Sequence, residues 1–104
     1  MDKEYLDVLS RIQKVVLMLL YLDSSPIKGK TWYQKEIFLI SKLDKGVKEE
    51  LEFEPHNYGP HSYEADDALE NLEDEGLVEV VGNNEIRITE QGEEAAQYLK
   101  NSFN

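Results

Sequence analysis

Two histidines, His56 and His61, stand five positions apart with Glu54 and Glu64 close by. Imidazole and carboxylate are both zinc ligands, so this segment carries metal-binding chemistry. The chain has only these two histidines and no cysteine. The simpler reading is that the histidines cap or hydrogen-bond while Phe53 and Tyr58 pack the loop onto the helices, and no metal or other cofactor is expected. A second group is richer. Residues 62–75 hold seven acids, Glu64, Asp66, Asp67, Glu70, Glu73, Asp74 and Glu75, and no lysine or arginine. Paired carboxylates around Mg²⁺ serve nucleases, but such acids converge from separate elements, whereas these occupy the outward positions of one segment. That is the pattern of a solvated face. There is no Gly-rich phosphate loop, no G-x-S-x-G and no H-E-x-x-H, so no enzyme is expected. A third group places Trp32 and Tyr33 beside Lys28, Lys30 and Lys35. Aromatic rings among lysines can stack bases; at the start of an amphipathic helix they more often serve the core or a dimer contact.

Charge separates these groups. The 104 residues carry 11 basic and 22 acidic side chains, a formal net charge of −11. The window 49–79 has twelve acids and no lysine or arginine. Residues 24–48 are opposite in sign, with six lysines (Lys28, Lys30, Lys35, Lys42, Lys45 and Lys48) against Glu36 and Asp44, a local +4. Asymmetry of this kind marks a partner surface or a pair of loosely matched solvated faces.

The elements that carry them are read from periodicity. Tyr5, Val8, Leu9, Ile12, Val15, Val16, Leu19 and Leu22 follow helical spacing, which predicts a first helix over 5–22. Its stretch 15–22 is apolar nearly all round, which suits burial on two sides, one of them against a second copy of the chain. Thr31-Trp32-Tyr33-Gln34 has the spacing of a capping box and predicts a second helix from there to about Leu43, with Asp44-Lys45-Gly46 as its exit. Residues 47–61, with two prolines and a glycine near their end, are expected to be irregular or partly extended. Ser62 is a good N-cap for a third helix to about Glu75, which Gly76 ends. Leu77-Val78-Glu79-Val80-Val81 and Glu85-Ile86-Arg87-Ile88-Thr89, joined by Gly82-Asn83-Asn84, read as a hairpin. Thr89 caps a last helix to about Lys100. The fold class expected is mainly α with a small β-hairpin, in one domain over 1–104, the natural count for this length. Without cysteine there is no disulfide framework and no thiol catalysis. The longest apolar run, 15–22, is far short of the roughly 20 residues that span a bilayer, and the polar start is no secretory signal. A cytoplasmic protein with no membrane partner is expected.

The string Ala68-Leu69-Glu70-Asn71-Leu72-Glu73-Asp74-Glu75-Gly76-Leu77-Val78, then a hairpin, then Ile88-Thr89-Glu90-Gln91-Gly92, resembles the winged-helix domain of MarR- and PadR-type transcriptional regulators. In these a recognition helix ends in Leu-x-x-x-Gly-Leu-Val/Ile, and a two-stranded wing leads to Thr-x-x-Gly. The likeness covers 62–100 in motif detail and 5–61 in helix order. Phe53-x-Pro55-x-x-Tyr58-Gly59-Pro60-x-Ser62 is also similar to small archaeal and bacterial winged-helix proteins, mostly uncharacterised. The resemblance implies a winged helix-turn-helix, with 62–75 as recognition helix and 77–89 as wing, and a homodimer on double-stranded DNA.

The chain departs from that pattern in charge. Affinity for duplex DNA rests on lysine and arginine displacing counterions. A carboxylate brought within about 5 Å of a phosphate costs roughly 1 kcal/mol even in water-like surroundings. Seven acids therefore oppose insertion of 62–75 into a groove. Two functions follow for a non-catalytic module. One is a regulator-type DNA-binding protein that uses Lys28, Lys30, Lys35, Lys42, Lys45 and Lys48, with Arg87 from the wing. The other is a protein-interaction module, or mimic of nucleic-acid charge, that presents Glu64, Asp67, Glu70, Glu73 and Asp74 to a basic protein.

Overall fold

The computed structural model describes residues 3–23, 26–55 and 59–102. The elements run α1 (Lys3–Asp7), α2 (Arg11–Leu22), β1 (Ile27–Lys28), α3 (Lys30–Leu43), α4 (Lys45–Glu50), α5 (Tyr63–Asp74), β2 (Val78–Val81), β3 (Glu85–Ile88) and α6 (Glu90–Ser102). The chain is mainly helical, with one three-stranded antiparallel sheet in the order β1-β3-β2. The helix α2 is central and packs on α4, α5 and α6. Its Ile12, Val16, Leu17 and Leu20 are buried. They meet Tyr33 and Ile37 of α3, Ala65, Leu69 and Leu72 of α5, and Ala95, Ala96 and Leu99 of α6 in one core.

Four expectations are corrected. The helix expected over 5–22 is two helices. The Ser10 hydroxyl accepts from Gln13 N–H (3.2 Å) and Gln13 Oε1 accepts from Ser10 N–H (2.8 Å), so the reciprocal capping box starts a new helix at Arg11. Val8, expected on the apolar stripe, falls in the break and is 78% exposed. Next, α3 starts at Lys30 behind Gly29, whose φ of 122° and ψ of 157° suit glycine alone, and it has no side-chain cap. Thr31 and Gln34 therefore form no capping box. The third correction concerns 47–50, expected to be irregular but helical in α4. Asp44 ends α3 as expected and also begins α4: its side chain accepts from Val47 N–H at 3.0 Å, and its own N–H donates to Ile40 O at 2.8 Å. Finally, Ile27 and Lys28 add a third strand to the expected hairpin. Ile27 pairs with Ile86, which also faces Val80, so an apolar row crosses the sheet.

The rest follows the sequence closely. Ser62 caps α5 through Ala65 N–H at 3.2 Å. Gly76 has the left-handed φ of 76° at its end. Thr89 accepts from Gly92 N–H at 3.0 Å and donates to Gly76 O at 2.6 Å, which ties α6 to the end of α5. Among the described residues, no helix is long and apolar enough to cross a membrane.

Candidate functional site

The outward side of α5 is built from its spacing. Ala65, Ala68, Leu69 and Leu72 turn inward, and this leaves Tyr63, Asp67, Glu70 and Asp74 on one exposed stripe. Tyr63 is 59% exposed and lies edge-on to His61 with centroids 4.9 Å apart. Asn71, Glu73 and Glu75 are exposed beside that stripe. Acids in the first turn, Glu64 and Asp66, complement the helix dipole.

The stripe is held in place by the contact between α3 and α5. Gln34 is buried and uses both ends of its amide. Its Nε2 donates to Ser62 O (2.9 Å) and to Asp66 Oδ1 (2.8 Å), while its Oε1 accepts from Ser62 N–H (2.9 Å). The fully buried Tyr33 donates its hydroxyl to Ala65 O, and burial, then Asp66, holds that phenol in its neutral form by raising its pKa. These bonds fix the start of α5 on α3, so the helix presents its acids from a rigid base.

The expected site residues divide. Asp67, Glu70, Glu73 and Asp74 are exposed on α5. Glu64 is exposed too, but its carboxylate accepts from Glu52 N–H (2.8 Å) and the Ser62 hydroxyl (3.3 Å), a local role. Asp66 is tied by Gln34 and by His61 Nε2 at 3.1 Å.

The lysines do not gather into one patch. Lys28 lies on β1 opposite Glu85, and Lys30 opens α3. Lys35 sits 5.1 Å from the Trp32 ring and Lys42 4.6 Å from that of Phe38. Lys45 and Lys48 are on α4, beyond the far end of α3. Since α3 has 14 residues, its two ends are about 20 Å apart. Arg87 of β3 is 3.0 Å from Glu85 and cross-strand from Glu79.

Trp32 is 58% exposed, whereas Tyr33 is core. His56 and Tyr58 lie outside the described residues. Among those that are described, no group of three His, Asp or Glu is arranged to hold a metal ion. Phe53 packs edge-on against Phe38 at 5.0 Å, which holds its end of the loop on α3 as expected. A backbone bridge between Glu54 and His61 closes that loop.

Several residues escaped the sequence reading. Ser10-x-x-Gln13 had a legible capping signature, and so did Asp44 three residues before Val47. Gln34 had none, because its spacing from Thr31 pointed to another role. Compared with family models, with characterised proteins and with solved structures, the chain matches none.

Proposed function

We propose that the chain is a non-catalytic binding module of winged-helix architecture, with the outward face of α5 as its contact surface for a basic protein. What supports the architecture is the order of elements. Two helices, a short strand, three further helices and a hairpin run along the chain, and the short strand pairs with the second strand of the hairpin. In that arrangement α5 takes the position of the recognition helix and β2–β3 that of the wing.

The observation that carries the function is the stripe Tyr63, Asp67, Glu70 and Asp74. It is exposed, anchored at its base by Gln34, and set in a segment with no lysine or arginine from 49 to 79. An exposed tyrosine supplies an anchor of the type that dominates interface energies. The acids steer a cationic partner and repel nucleic acid.

A second reading keeps the regulator role on duplex DNA. Its support is that Lys28, Lys30, Lys35, Lys42, Lys45 and Lys48 are exposed and make no ion pair among the described residues. Arg87, paired with Glu85, contributes less to it than expected.

The two readings separate in one experiment. The triple variant Glu70→Lys, Glu73→Lys, Asp74→Lys is made and compared with wild type as an immobilised bait. Lysines in the last turns of α5 suit its C-terminal dipole, so the fold tolerates them. Wild type retains basic proteins from a cell extract that the variant loses; an identical retained set overturns the reading. On the DNA reading, wild type instead binds a duplex at low salt, with log affinity falling by about 0.9 per phosphate contact for each decade of salt.

A further inference from the structure

The described residues leave one side of α2 partly uncovered. Val15, Met18, Leu19 and Leu22 line, with Ile40 of α3, an apolar groove of about 420 Å³, and Arg11 and Lys14 stand at one end of it. Leu22 is 69% exposed. The neighbouring α3 runs antiparallel to α2, since Arg11 at the start of α2 pairs with Asp44 beyond the end of α3 at 2.8 Å, while Asp23 beyond the end of α2 acts on Glu36. The apolar groove therefore has ends of opposite charge. Lys14 marks one end; Asp23 and Glu36 mark the other. Burial, and then Asp23, raises the Glu36 carboxyl above the usual range, and its buried Oε2 has no hydrogen-bond partner among the described residues.

We propose that this face joins two copies of the chain, with α2 packed antiparallel on α2 of the second copy about a two-fold axis beside Met18 and Leu19. An isologous interface requires a patch that complements itself under a half-turn. This one does so residue by residue. With the axis between 18 and 19, Met18 meets Leu19, Val15 meets Leu22, and Lys14 meets Asp23, each pair formed twice. Lys14 also arrives where Glu36 lacks a donor. The opposite faces of α2 do not compete, because Ile12, Val16, Leu17 and Leu20 are already in the core. The charges on this face nearly cancel, whereas the chain as a whole carries −11. Two such chains can approach here without the repulsion that an α5 face would meet. The proposal is independent of the role assigned to α5.

The test is sedimentation equilibrium of the full chain from micromolar to near-millimolar concentration. The variants are Lys14→Glu, Asp23→Lys, both together, and Leu22→Gln, each checked by circular dichroism for an intact fold. Wild type dimerises. Each single charge reversal weakens the dimer about tenfold or more, and the double reversal, which restores opposite charges across the axis, regains most of that loss. Leu22→Gln, at a position too exposed to unfold the chain, weakens it too. A wild type that stays monomeric overturns the proposal and leaves the face to a different protein. A dimer indifferent to both single reversals, or one that the double reversal does not rescue, overturns it equally.

Discussion

Asp44 joins α2, α3 and α4 through one short side chain. Its Oδ1 accepts from Val47 N–H and its Oδ2 from the Arg11 guanidinium at 2.8 Å. The hydrogen bond from Arg11, then that from Val47, holds the Asp44 carboxyl below the ordinary range. The unfolded value is about 3.9. A depressed folded pKa contributes stability that is complete above the unfolded value and is lost as pH falls through the folded one. Asp44→Ala is therefore expected to cost about 1 kcal/mol at neutral pH, the usual worth of an N-cap. The gap from wild type then narrows below about pH 4. Urea denaturation of both proteins at neutral pH and near pH 3 checks this, and an equal gap at both would refute the linkage.

At the scale of elements, the join between α6 and the rest rests on Gly92. A β-carbon there would lie 1.9 Å from Leu77 O and 2.7 Å from Ile88 Cγ1. Leu77 O cannot give way cheaply, because it accepts from Thr89 N–H at 3.1 Å at the start of α6. In an exposed helix, glycine to alanine stabilises by roughly 1 kcal/mol. Here Gly92→Ala is expected to destabilise by about 2 kcal/mol or more through overpacking. Chemical denaturation decides the sign, and a gain in stability would mean that α6 stands farther from Leu77.

The same element shows why its neighbourhood was legible in advance. Thr89, Gly76 and Ser62 act through the backbone of their own segments, so local chemistry names the ends of α5 and α6. The break between α1 and α2 was locally encoded as well, by Ser10 and Gln13, but an unbroken apolar period masked it. The strand Ile27–Lys28 is different in kind. Two residues carry no period, and only pairing with Glu85 and Ile86 across the sheet makes them a strand.

Across the whole molecule, charge sets the behaviour. The Cα radius of gyration is 13.0 Å. At 0.1 M salt the screening length is about 10 Å, so the excess of acids repels itself over much of the structure; near 1 M it shrinks to about 3 Å. The melting temperature is expected to rise with added sodium chloride, since relief of repulsion from a net −11 outweighs the loss of partly exposed pairs such as Arg11–Asp44 and Arg87–Glu85. A scanning melt over that range checks it. A flat or falling curve would show that the surface pairs dominate.

Residue order alone determined the charge asymmetry, and local spacing determined α5, the hairpin and the caps of the last two helices, because those properties need only neighbours along the chain. The tertiary structure decided which polar groups are occupied and which remain open. Gln34 became a buried brace, Arg87 was matched by Glu85, Glu64 turned back onto Ser62, and the outer side of α2 stayed partly exposed among the described residues. Each of those outcomes depends on where distant segments come to rest, and no one-dimensional pattern carries that distance.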